Sequence, residues 1–121
     1  MSTPRKALIG LSYEEQRPLA SRIFQRRGYE PIVAGSFEEL RAHAADAGVY
    51  AILMDINYSH PGTGDISSGR EIYEMVKPRV EQGYAKFLGI AGSPDAVENA
   101  RRLGIPCEEK SNLFEAINRN F

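Results

Sequence analysis

At 121 residues the chain is long enough to bury a core without a metal or disulfide, and short enough to form one domain over residues 1–121. Its 15 basic and 16 acidic residues are mixed along the sequence, and the formal net charge of −1 excludes the concentrated positive patch of a nucleic-acid binder. No apolar run is long enough to span a bilayer, no signal-peptide-type segment opens the chain, and the single cysteine, Cys107, excludes an internal disulfide. A cytoplasmic protein with no membrane contact is expected.

Strand and helix signals alternate from end to end. The first strand is Lys6 to Leu11, followed by Ser12-Tyr13-Glu14-Glu15, which reads as a capping box with Ser12 as the cap. The helix it opens places Leu19, Ala20, Ile23 and Phe24 on one face and stops at Gly28. Arg22, Arg26 and Arg27 read as its solvated face, near a helix end where cations suit the dipole. Tyr29 to Ala34 is the second strand, and Ser36-Phe37-Glu38-Glu39 a second capping box, opening a helix to about Ala47. Tyr50 to Asp55 is the third strand, containing the unbroken apolar run Ala51-Ile52-Leu53-Met54 that suits a central strand covered on both faces.

A loop over 56–67 follows, long for a strand-to-helix connection and therefore a candidate functional segment. Ser68-Gly69-Arg70-Glu71 starts a third helix through Ile72, Tyr73, Met75 and Val76, which Pro78 is expected to kink or end unless it starts a separate last turn. Lys86 to Ala91 is the fourth strand, and Ser93-Pro94-Asp95 starts a short helix stopped by Gly104. Ile105 to Glu109 is the fifth strand, after which Ser111 or Asn112 caps a last helix bearing Leu113, Phe114, Ile117 and Phe121. Five strands alternating with five helices predict an α/β, doubly wound, five-stranded parallel sheet with helices on both faces. Asp55, at the carboxyl end of the central strand, then lies in the crevice where such sheets place their chemistry.

This layout resembles, over essentially the whole chain, the receiver domain of two-component response regulators, which has a flavodoxin-like fold. Asp55 stands where that family has its phosphoacceptor, and Asp55-Ile56-Asn57 looks like the family's D-x-N start, in which the residue at Asn57 offers its backbone carbonyl to magnesium. Lys110 matches the lysine that contacts the phosphoryl group, and Gly69 the glycine before the third helix. Arg26-Arg27-Gly28-Tyr29-Glu30 reads like the family's end of helix one. The resemblance implies a stand-alone, non-enzymatic signalling receiver of a two-component phosphorelay, phosphorylated at Asp55 and acting through protein–protein contacts. Its partner would be a histidine kinase or another signalling protein, with homodimerisation through the helix 4–strand 5–helix 5 face and no nucleic acid or membrane.

The chain also departs from the family pattern. The two acidic residues that hold magnesium at the end of strand one are replaced by Leu11 and Ser12. The threonine or serine ending strand four is Ala91, the aromatic switch residue of strand five is Cys107, and the proline after the lysine is Ser111. Magnesium on Asp55 and the Asn57 carbonyl is thus short of ligands, since a hard cation wants several oxygens. Glu14 is the candidate substitute ligand, although an acid in a first turn equally serves the helix dipole. Asp65 and His60, in the long loop, are further candidates to reach the site, and His43 reads as a surface or rim histidine. Gly62-Thr63-Gly64 lacks the spacing and the following helix of a phosphate-binding loop, Cys107 reads as a small core residue, and Ser12 has no partner for a hydrolase triad.

Two other functions stay open. A pseudo-receiver would use the fold as a binding module and take up no phosphoryl group, with Lys110 serving only to neutralise Asp55. A small-ligand domain of another flavodoxin-like family is the third. With neither hydroxyl at Ala91 nor ring at Cys107, any signal would travel through the long loop or the third helix.

Overall fold

A computed structural model describes residues 4–121. Five parallel strands, β1 (Lys6–Gly10), β2 (Glu30–Val33), β3 (Val49–Asp55), β4 (Lys86–Ala91) and β5 (Cys107–Glu109), form one sheet in the order β2-β1-β3-β4-β5. The helices are α1 (Arg17–Arg26), α2 (Phe37–Ala44), α3 (Ser67–Glu81), α4 (Pro94–Arg102) and α5 (Leu113–Asn120). This is the flavodoxin-like arrangement expected from the alternation of elements, with the order reversing between β1 and β3 so that a crevice opens above those two strands. None of the helices among the described residues is long and apolar enough to cross a membrane.

The central strand shows why the sheet is covered twice. Ile52 and Met54 pack with Leu40, Ile72, Val76 and Val97 on the α2–α3–α4 side. Ala51 and Leu53 alternate with them and pack with Ile23, Phe24 and Ile117 on the α1–α5 side. Every residue from Ala51 to Met54 is fully buried, which an apolar side chain tolerates on either face and a polar one does not.

Some boundaries differ from the sequence expectation, with identifiable causes. The second capping box forms in part: Ser36 Oγ accepts from the Glu39 amide at 3.1 Å, while the Glu39 carboxylate accepts from the Gly35 amide at 2.7 Å. The first does not form. Tyr13, with no side-chain cap, precedes a 3-10 turn over Glu14–Gln16, and α1 begins only at Arg17 with a proline in its first turn. Pro78 neither ends nor splits α3. The carbonyl it deprives of a donor belongs to Glu74, an exposed residue on the solvent side of the helix, and the Arg79 guanidinium donates to the carbonyls of Ala44 and Asp46, tying the last turn to the end of α2. The strand after α4 is shorter than expected, pairing only from Cys107 onward.

Candidate functional site

The carboxyl ends of β1, β3, β4 and β5 converge on a pocket of about 310 Å³ lined by Ser12, Tyr13, Asp55, Asn57, Pro61, Gly62, Gly92, Ser93, Pro94 and Lys110. Asp55 lies at its base, 2 % exposed, delivered there by the uniformly apolar strand beneath it. Lys110 is held beside it because its amide donates to the Ala91 carbonyl at 2.8 Å, extending the β4–β5 ladder by one residue. Its ammonium forms an ion pair with Asp55 Oδ1, an oxygen that accepts no hydrogen bond of good angle, and lies 5.2 Å from the centre of the Tyr13 ring. The two side chains thus meet at the mouth of the central strand.

Ser12 does something the sequence reading missed. Its backbone amide and its hydroxyl both donate to Asp55 Oδ2, at 2.7 and 2.6 Å. A charge-assisted bond to a carboxylate is about twice as strong as one between neutral groups, so the hydroxyl serves Asp55 rather than a helix amide. The failure of the first capping box and the occupation of Asp55 are therefore one event.

The other candidates take definite positions. The Asn57 carbonyl accepts from the His60 amide at 2.9 Å, and its side-chain amide donates to the Thr63 carbonyl at 2.8 Å, so its polar groups fold the loop. Glu14 is exposed on the 3-10 turn and does not line the pocket. His60 and Asp65 do not enter the site either: His60 Nε2 lies 3.4 Å from Asp65 Oδ2, with both side chains about half exposed. Asp65 is held below the usual carboxylate range by hydrogen bonds from Ser67, with a smaller pull from His60. Pro61 and Gly62 form the loop's wall of the pocket instead; neither carries chemistry that a sequence would flag. Ala91 and Cys107 are buried, and burial pushes the Cys107 thiol up to about 12, as befits an inert core residue.

Magnesium does not fit this donor set. The pocket lining offers one carboxylate, one of whose oxygens receives both Ser12 donors while the other faces an ammonium. Among the described residues no group of three His, Cys, Asp or Glu side chains is placed to hold a metal. A hard dication brought to Asp55 would displace bonds already made and meet a like charge.

No family model matches the chain, and no curated protein matches it in sequence. Solved structures do resemble it. The chemotaxis response regulator CheY4 of Vibrio cholerae is 22 % identical with a TM-score of 0.69, over 97 % of this chain and 98 % of that one. A CheY-like response regulator receiver domain from Methylobacillus flagellatus is 19 % identical with a TM-score of 0.67, over 97 % and 95 %. A de novo designed Rossmann 2x3 protein also matches, at 16 % identity and a TM-score of 0.65, over 97 % and 88 %. The chain has the receiver-domain fold. That a designed protein shares so much of it shows why function must be argued from the site.

Proposed function

We propose that the chain is a receiver-type signalling module of two-component systems that works through protein–protein contacts, with Asp55 serving as a fixed anchor of its pocket instead of a magnesium-dependent phosphoacceptor. The supporting observation is that both Asp55 oxygens already face protein groups: Oδ2 accepts both Ser12 donors, and Oδ1 is ion-paired with the Lys110 ammonium. Phosphoryl transfer to a carboxylate develops negative charge on the incoming oxygens, which has to be neutralised by a cation. Here one ammonium is available, and it is committed to Asp55 itself. The usual read-out is missing as well, since Ala91 has no hydroxyl and Cys107 no ring to follow a modified aspartate.

The partner in this reading is a histidine kinase or another signalling protein. A docking or homodimer surface on α4–β5–α5 would be ionic, with Glu98 bonded to Arg102 at 2.7 Å and Glu108 paired with Arg119. The second reading, phosphorylation of Asp55, draws on Oδ1: it has no hydrogen bond, and the ammonium against it is the group the receiver resemblance assigns to a phosphoryl contact.

Incubation with acetyl phosphate and magnesium, followed by intact-mass analysis, separates the two. No phosphoryl adduct is expected on the wild-type chain under conditions that modify a known receiver. An adduct present on the wild type and lost in Asp55→Asn would overturn the proposal in favour of the second reading.

A further inference from the structure

The segment between β3 and α3 is built as a strap. At its root Ile56 is fully buried beneath Gly69 and Gly89, whose missing side chains make its room. Its middle is closed on itself by Asn57, whose amide reaches Thr63, and is fastened to α3 by Ser59, whose backbone amide donates to Ser68 Oγ at 3.1 Å. Pro61 and Gly62 line the same pocket as Asp55. At its far end the Gly64 carbonyl accepts from the Asn99 side chain at 2.9 Å. A side chain at position 64 would press on Asp95 and Asn99, at 3.3 and 3.2 Å, so the strap lies against α4 at a distance glycine permits.

The helix it touches is lightly anchored. The buried residues of α4 are Ala96, Val97 and Ala100, with no large side chain among them. Elements with little buried apolar area sit at the low-stability end of a fold and shift first. The same loop therefore borders the Asp55 pocket and fastens a weakly held helix, in a chain without a hydroxyl at Ala91 or a ring at Cys107.

We propose that the strap over residues 56–66 couples the Asp55 pocket to α4, with the Asn99–Gly64 bond as the joint. A disturbance of the pocket that moves Pro61 and Gly62 pulls on Gly64 and releases α4. This goes beyond the reading of Asp55 as an anchor, since coupling through the strap operates whether or not Asp55 takes a phosphoryl group.

Backbone amide hydrogen exchange of the full chain tests it as a cycle. Asp55→Asn disturbs the pocket and Asn99→Ala cuts the joint. In the wild-type background, Asp55→Asn is expected to speed exchange in the strap and, by roughly five-fold, in α4, the scale of one neutral hydrogen bond. In the Asn99→Ala background it should still speed exchange in the strap but leave α4 at the rate that variant already shows. An equal acceleration of α4 in both backgrounds, or none in the first, would overturn the coupling. Should Asp55→Asn fail to fold, Ser12→Ala disturbs the same carboxylate and is read by the same criteria.

Discussion

Replacing Lys110 with alanine is expected to lower the unfolding free energy by about 3 kcal/mol. The Lys110 side chain is 12 % exposed and that of Asp55 4 %, so removing the ammonium leaves a buried carboxylate with only the Ser12 donors for compensation. Breaking one partner of such a pair costs about 3–5 kcal/mol, and the lower end applies because truncating Lys110 opens the adjoining pocket to Oδ1, which is buried while the lysine is present. The penalty comes from the abandoned charge more than from a lost attraction. Adding Asp55→Asn to Lys110→Ala should therefore recover most of the loss, since removing both charges of a buried pair is often close to neutral. Urea denaturation of the two single variants and the double variant measures this directly. A Lys110→Ala variant within about 0.5 kcal/mol of wild type would mean that the pair is solvated and that Asp55 does not depend on it.

Gly69→Ala is the second large effect, with an expected loss of about 2 kcal/mol. A Cβ at this position would stand 2.3 Å from Ile56 Cδ1 and 2.6 Å from the Ile56 carbonyl oxygen. The side-chain end can rotate away, but the oxygen is fixed by the bond it accepts from the Gly69 amide at 3.0 Å, so α3 or the root of the strap has to shift. Overpacking of this kind costs about 1–3 kcal/mol, and contact with backbone puts it at the high end. The gain of about 1 kcal/mol from alanine over glycine in a helix offsets part of it. Gly92→Ala is the control, because nothing lies within 4 Å of a Cβ there and its stability should stay within about 0.5 kcal/mol of wild type. Thermal or urea unfolding that ranks the two glycines equally would refute the crowding around Ile56.

The sequence resolves some of this molecule and hides the rest for physical reasons. Strand and helix identities are legible because burial on both faces gives Val49–Asp55 a near-continuous apolar run, while burial on one face gives Leu113–Asn120 a 3.6-residue period. Asp55 is legible from its place at the end of a buried strand, and Lys110 as its partner from the receiver resemblance; the parallel sheet brings both strand ends to one edge. Ser12 is not, because a serine before two glutamates satisfies a local capping rule and only the fold reveals a stronger acceptor 43 residues away. Pro78 misleads for a related reason: the local rule is correct about the lost hydrogen bond and silent on whether the freed carbonyl faces water. The interior of the loop is the least legible part. Asn57, His60 and Asp65 each have chemistry suited to a site, yet each is used to hold the loop together; Asn57 still lines the pocket, where it is joined by Pro61 and Gly62 and not by His60 or Asp65.

A magnesium titration followed through the backbone amide signals of Ser12, Asn57 and Lys110, with and without beryllofluoride as a phosphate analogue, shows whether Ser12 and Lys110 keep hold of Asp55. No saturable change is expected at these positions at millimolar magnesium, and the Ser12 amide should move only when Asp55 is replaced by asparagine. A saturable shift centred on Ser12, deepened by the analogue, would show the carboxylate leaving its protein partners for a metal and would contradict that expectation.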